Sequence, residues 1–278
     1  MDSKTQTRST RPGLFLSNNN QDIPHFTSNL LNQHKTIKHG FYGRKGGISQ
    51  DIFADFNIAF GKGDDEHHVK TNRHLLCDQL GIQPCNLILQ QQIHGNQVNE
   101  ILHLPVDHHT LIGDALITNL PGVAIAVLTA DCLPILMYAP DINYVAAIHA
   151  GRVGLLQNVI DHTVQRLIDK GAHANNMIAA IGPAIHQDCY QVRSEIYQRI
   201  AQNYPTYISY CKESSVKDYY NLDLVGIAVH KLMTLNINHI DILPLNTYQH
   251  PDQFFSCRYA HHHKQASFGN QISAIQLA

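Results

Sequence analysis

Residues 115–151 read ALITNLPGVAIAVLTADCLPILMYAPDINYVAAIHAG. Four apolar runs stand out: Ala115 to Thr118, Val123 to Leu128, Pro134 to Tyr138 and Tyr144 to Ile148. Each has the length of a strand, and Val and Ile dominate them. A strand with one wet face alternates apolar and polar residues, whereas these runs are mostly continuous, which predicts strands covered on both faces.

Working outward, Asn86 to Gln91 and Val98 to Leu102 read as strands on either side of a His94-Gly95-Asn96 turn, with Met177 to Ile181, Ile240 to Leu243 and Ile272 to Leu277 as later ones. Helical spacing appears after Asp64-Asp65, through Val69, Leu76 and Leu80 to a stop at Gly81. It recurs from Leu155 to Ile168 ahead of Gly171, from Ser194 to Tyr204, and from Asp223 to Leu235 behind an Asn221 or Asp223 cap. Strands and helices interleave irregularly, so the expected fold is a single-domain α/β sandwich with mixed sheets rather than a regular doubly wound one. Residues 1–36 are rich in Ser, Thr, Asn and Gln and are expected to form a partly ordered lead-in, with the domain spanning 37–278.

The apolar runs end on chemistry. His94, Cys132 and His149 each sit where a strand should stop. Two imidazoles and a thiolate suit zinc, and three protein ligands leave a fourth tetrahedral position for water or substrate, the pattern of a catalytic site. The same residues also fit a buried thiol and two hydrogen-bonded histidines near strand ends. Asp131 precedes Cys132; if the chain bends there, it could orient a histidine ligand or move a proton, and it could equally cap a turn. The Arg44-Lys45-Gly46-Gly47 turn can bring backbone N–H groups close to a ligand.

Composition excludes several classes. The net charge of −2 lacks the basic surplus expected of a nucleic-acid binder. The first ten residues are polar and carry no signal-peptide core, and no apolar stretch spans a bilayer without polar interruption. A cytoplasmic, reduced protein is expected, with its six cysteines free or metal-bound. Gly61-Lys62-Gly63 is a turn rather than a phosphate loop. His261-His262-His263 reads as a solvated loop. Oligomeric state is not legible.

Five blocks occur in order: Gly40 to Ser49, Gln92 to Gly95, Thr129 to Pro134, His149 to Gly151 and Ile181 to Ile185. Together they resemble the laccase-like, or multicopper polyphenol oxidoreductase, family, whose members are also named peptidoglycan-editing factors. The resemblance covers roughly residues 38 to 277. It implies a zinc-dependent purine nucleoside phosphorylase acting on adenosine, inosine or methylthioadenosine and phosphate, with adenosine deaminase activity. It implies zinc at His94, Cys132 and His149, with Arg44 and Arg258 as anion clamps through paired donors. Zinc lowers the pKa of a bound water, as deamination at the purine C6 requires. One ligand triad does not supply several copper centres, although copper could occupy so soft a site. Two alternatives stand beside this reading. Cys132 and His149 could form a nucleophile and base for amide hydrolysis of a peptidoglycan precursor. The chain could also be a diverged metal-binding protein with little activity.

The family pattern is not intact. His-Ala-Gly-Trp-Arg-Gly becomes His149-Ala150-Gly151-Arg152-Val153-Gly154, and Cys-Thr-x-Cys becomes Asn246-Thr247-Tyr248-Gln249. Thr-Gly-Arg becomes Phe268-Gly269-Asn270, Arg-Arg becomes Arg258-Tyr259, and Gln191 replaces a frequent Glu.

Overall fold

Neighbouring residues of one strand go to different cores. In the computed structural model, which describes residues 13–15, 22–106 and 111–278, Val145 and Ala147 face one apolar cluster while Ala146 and Ile148 face another. Side chains alternate across a strand, so a run apolar throughout serves two layers at once. The layers are two six-stranded sheets and the helices that cover them.

The first sheet runs, in spatial order, Gly13–Phe15, His25–Thr27, Ile37–Tyr42, Gln271–Leu277, Ala124–Thr129 and Leu87–Ile88. The second runs His239–Ile242, Ile178–Ile181, Leu133–Ala139, Tyr144–Ala150, Ala115–Thr118 and Val98–Ile101. Both sheets are mixed: Leu87–Ile88 runs parallel to its neighbour in the first, and the outermost pair at each side of the second is parallel, amid antiparallel ladders. Phe41, Ile125, Val127 and Ile275 of the first sheet meet Leu116, Leu136, Val145 and Ala147 of the second, forming the central core. The outer face of the second sheet packs under helices Val159–Asp169 and Leu224–Thr234. The outer face of the first packs under Glu66–Leu80. This is the expected α/β sandwich.

Helix signals match their caps. Asp65 accepts a hydrogen bond from His67 N and opens Glu66–Leu80, and Gly81 closes it in the left-handed conformation. Asp223, rather than Asn221, caps Leu224–Thr234. The helix expected through 155–168 is instead two, Arg152–Leu156 and Val159–Asp169, broken at Asn158 with φ of 70°. Asparagine tolerates that conformation, and its Oδ1 accepts from the buried Lys231 Nζ at 2.6 Å. The strand expected at 86–91 shrinks to Leu87–Ile88 behind a short 3-10 turn begun by Pro84.

Order reaches back before Ile37. Ile23, Phe26 and Leu31 are buried, and Asp241 Oδ2 accepts from Ser28 Oγ and Asn29 N at 2.8 Å each. His25-Phe26-Thr27 is too short to read as a strand in sequence, yet it pairs with Ile37–Tyr42. The rest of the expected lead-in, 1–12 and 16–21, lies outside the described residues. A three-stranded sheet of Gln191–Arg193, Tyr219–Leu222 and Cys211–Glu213, unforeseen from the sequence, stands beside the sandwich. No helix among the described residues is long and apolar enough to cross a membrane.

Candidate metal centre

Between Ala124–Thr129 and Leu133–Ala139 the chain leaves the first sheet and enters the second. Asp131 turns that corner at φ of 91°, and Cys132 follows it. Tyr144–Ala150, paired with Leu133–Ala139, brings His149 opposite Pro134. His94 arrives on the loop before Val98–Ile101. Three segments far apart in sequence thus meet, and the possible ligand atoms of His94, Cys132 and His149 lie within 4.8 Å of one another.

Asp114 organises this meeting. Its carboxylate accepts from the backbone N–H groups of Ile93, His94 and Gly95 at 3.3, 3.0 and 2.6 Å. Asp114 Oδ1 also lies 2.7 Å from His149 Nδ1. Burial raises the Asp114 pKa, but the His149 hydrogen bond and the Gly95 amide outweigh it, and the carboxyl stays below its ordinary value. With Nδ1 bound to Asp114, His149 offers Nε2 to the cleft. Burial disfavours charge on both His149 and Cys132. Their mutual hydrogen bond and attraction, with Asp114 behind the imidazole and His94 beside the thiol, raise the His149 pKa and lower that of Cys132.

Gly151 completes the geometry. A Cβ there would stand 2.8 Å from His94 Cδ2 and 3.1 Å from Cys132 Sγ. Gly154 lets the helix Arg152–Leu156 touch the His94 loop, since a Cβ at 154 would lie 2.3 Å from Gly95 O. These are the two glycines that survive in the altered 149–154 block, and each is required by close approach.

The donor set fits an ion. Zinc bonds of about 2.0–2.1 Å to nitrogen and 2.3 Å to sulfur place tetrahedral donors roughly 3.3–3.6 Å apart. His94 Nε2 and Cys132 Sγ are 3.8 Å apart and the whole set lies within 4.8 Å, so the three donors reach one ion after an inward shift.

The triad opens into a cleft of about 1220 Å³. Lys62, Arg73, Arg152, Arg193 and Arg258 line it against only two carboxylates, Asp131 and Glu195. Arg258 Nη1 donates to Gln191 O at 2.9 Å, and its guanidinium stands 5.2 Å over the Tyr190 ring. Burial raises the Tyr190 pKa, and the positive charge of Arg152 partly offsets that rise.

Two expected site residues are engaged by partners within the protein. Arg44 does not line the cleft. Its guanidinium donates to the carbonyls of Ala54, Pro251 and Ile52 at 2.6, 2.8 and 3.3 Å, and it lies 4.6 Å over Phe255. It is a strut between two loops, with its Nε and both terminal nitrogens occupied. Asp131 borders the cleft, but its carboxylate accepts from Thr247 Oγ1 and Arg258 N, both at 2.7 Å. It anchors the start of helix Cys257–His262, and Asp114 orients the histidine instead. The histidine triplet ends that helix rather than forming a loop, and His262 Nδ1 lies 2.9 Å from Tyr248 Oη. Sequence reading missed Asp114. The available signal was a carboxylate at the mouth of the Ala115–Thr118 strand.

The family model described as multi-copper polyphenol oxidoreductase laccase matches residues 38–278. The chain belongs to this family. A purine nucleoside phosphorylase of Corynebacterium glutamicum is 30% identical over 246 residues, 88% of this chain and 96% of that one. Another, from Haemophilus influenzae, is 33% identical over 216 residues, 77% and 86% of the two chains. The crystal structure of the Bacillus licheniformis hypothetical protein YfiH superposes with a TM-score of 0.81 at 25% identity, covering 91% of this chain and 96% of that one. Among the described residues of this laccase-family chain, His94, Cys132 and His149 form the one group of His, Cys, Asp or Glu able to hold an ion.

Proposed function

We propose that this protein is a zinc-dependent purine nucleoside phosphorylase with a weaker adenosine deaminase activity. The observation that carries the reading is the His94, Cys132 and His149 triad at the edge of a cation-lined cleft. The naming of relatives that align over most of their length as purine nucleoside phosphorylases supports it. A single ligand set suits one zinc ion better than the several coppers of a laccase. When bound, the ion supplies a Lewis acid.

The chain's own residues do the rest. Asp114 holds the His149 ring and the His94 loop, so the ligands are in place before the ion arrives. Arg152 and Arg258 bind phosphate beside the nucleoside; paired donors on a planar guanidinium match its oxygens. In phosphorolysis a phosphate oxygen bonds to the anomeric carbon as the C1′–N9 bond breaks. The bonding pair passes to the purine, which takes a proton and leaves, and ribose 1-phosphate remains. In deamination water adds at C6 and ammonia departs.

The test is release of adenine from adenosine with and without phosphate, alongside ammonia release. Cys132→Ser should lower bound zinc and both activities at least a hundredfold. Zinc content and turnover unaffected by that change would overturn the reading. The thiolate favoured at Cys132 beside His149 supports a second reading, nucleophilic amide hydrolysis. Amidase activity that survives complete zinc removal would select it.

A further inference from the structure

Lys231, at 2% exposure, is the most deeply buried lysine or arginine among the described residues. From helix Leu224–Thr234 its Nζ donates to Asn158 Oδ1 at 2.6 Å and to Asp161 Oδ2 at 2.9 Å, and it stands 5.2 Å over the Tyr207 ring. Taking an ammonium out of water is costly, and an apolar side chain of similar volume often serves stability as well or better. Packing alone therefore does not account for a charge here. Its two partners occupy the break between helices Arg152–Leu156 and Val159–Asp169, where Asn158 takes its φ of 70°.

That break grips the loop of a candidate ligand. Asn96 Nδ2 donates to Gln157 O at 2.8 Å, and His162 Nδ1 lies 3.3 Å from Asn96 O. Residues on both sides of Asn158 thus hold the residue two beyond His94. Gly154, one turn before the break, lets the same short helix sit against Gly95 O. The loop needs such holds, because His94 has φ of 58°, a conformation uncommon in a residue with a side chain. Asp114 supplies one hold, through the amides of Ile93, His94 and Gly95. The helix break supplies the other, at Asn96. Helix Arg152–Leu156 has only five residues, too few to keep its course without tertiary support.

We infer that Lys231 is a positioning residue for the metal centre: by fixing the break at Asn158 it sets Gln157 and His162 against Asn96, and so keeps His94 turned toward Cys132 and His149. The inference rests on the metal reading above and adds to it a residue that touches neither ion nor substrate. Asn158 is exposed and Asp161 half-buried, so water can replace Lys231 at both once the ammonium is gone. Loss of the charge then leaves no buried polar group stranded, and the effect is confined to where the break sits.

Zinc affinity of the full chain, from competition with a chelator, is to be measured for the parent, Lys231→Met, Asn96→Ala and the double variant. Methionine keeps an unbranched side chain and removes the charge. Lys231→Met should keep or raise the urea midpoint. It should nevertheless bind zinc about tenfold more weakly, the lower end of what loss of an outer partner costs. Asn96→Ala should show the same loss, and the double variant about as much as either alone, because both act on one path. A folded Lys231→Met protein whose affinity stays within about twofold of the parent overturns the inference, as do losses that multiply in the double variant. If Lys231→Met does not fold, Asn158→Gly takes its place. Glycine accepts the φ of 70° but offers Lys231 no oxygen, so the same loss is expected and an unchanged affinity overturns the inference. The parent's own titration separates the two readings: a parent that binds no zinc overturns the metal reading, whereas zinc bound equally by parent and variants overturns only the role of Lys231.

Discussion

Asp114 Oδ1 lies 2.7 Å from His149 Nδ1, and the carboxylate that holds this ring also gathers the amides of Ile93, His94 and Gly95. One fully buried side chain therefore sets two of the three candidate metal ligands. Asp114→Asn keeps the shape but loses the charge and sets an amide against some of those donors. Zinc affinity should fall about 10- to 100-fold, the usual consequence of removing such an outer partner. A chelator-competition titration measures it, and an affinity within twofold of the parent would refute the role.

Gly151 and Gly154 should separate metal loss from fold loss. Gly151 has an ordinary φ of −70°, so alanine there brings no backbone strain, only a Cβ against His94 Cδ2 and Cys132 Sγ. Gly151→Ala should lose zinc while keeping most of its stability. Gly154→Ala meets a backbone oxygen at 2.3 Å and should cost stability as well. Overpacking of this kind costs about 1–3 kcal/mol. Zinc content and urea midpoints of the two variants give the comparison.

Arg44→Ala should behave as a structural lesion. Three carbonyl partners lose their donors, and a hydrogen bond involving a charged group contributes about 1.5–3 kcal/mol, so a loss of about 3 kcal/mol is expected after non-additivity. The phosphate KM of the folded fraction should stay near the parent value. Arg258→Ala should raise that KM roughly ten- to a hundredfold with a smaller effect on stability. The reverse pattern would restore Arg44 to the site.

Acid should weaken the fold through His39. Burial, and secondarily His25, holds its pKa down at about 4, and its Nε2 accepts from Ser28 N at 2.8 Å. The unfolded chain, with an ordinary histidine value, binds the proton more readily. Stability is therefore full above about pH 6.5 and falls as pH drops toward 4, by about 2 kcal/mol between pH 7 and pH 5. Urea unfolding at the two pH values checks it. His39→Gln, which retains an acceptor, should flatten the slope by about that amount.

Much of the molecule was legible from residues alone, and the reasons are local. Strands at 115–118, 124–129, 133–139 and 144–150 show as apolar runs because both faces of each are buried. Helices 66–80 and 224–234 announce their starts through Asp65 and Asp223, whose carboxylates reach amides two and three residues ahead. Strands 191–193, 211–213 and 219–222 did not show, because each is three or four residues long and contributes at most one buried residue, Val192 or Leu222, to the core.

The sequence by itself determined that this is a mixed α/β sandwich and that Cys132 and His149 stand at its strand ends, since periodicity, caps and ligand chemistry act over a few residues. His94 instead lies on a loop between two strands. Tertiary structure decided what the carboxylates and arginines do. Asp131 and Asp114 are both acids beside strands, yet one anchors Thr247 and Arg258 while the other holds His149 and the His94 loop. Arg44 and Arg258 are both arginines in family-like blocks, yet the first is surrounded by carbonyls and the second lines the cleft. A charged side chain takes its role from partners tens to hundreds of residues away, and only the folded chain brings those partners within hydrogen-bonding distance.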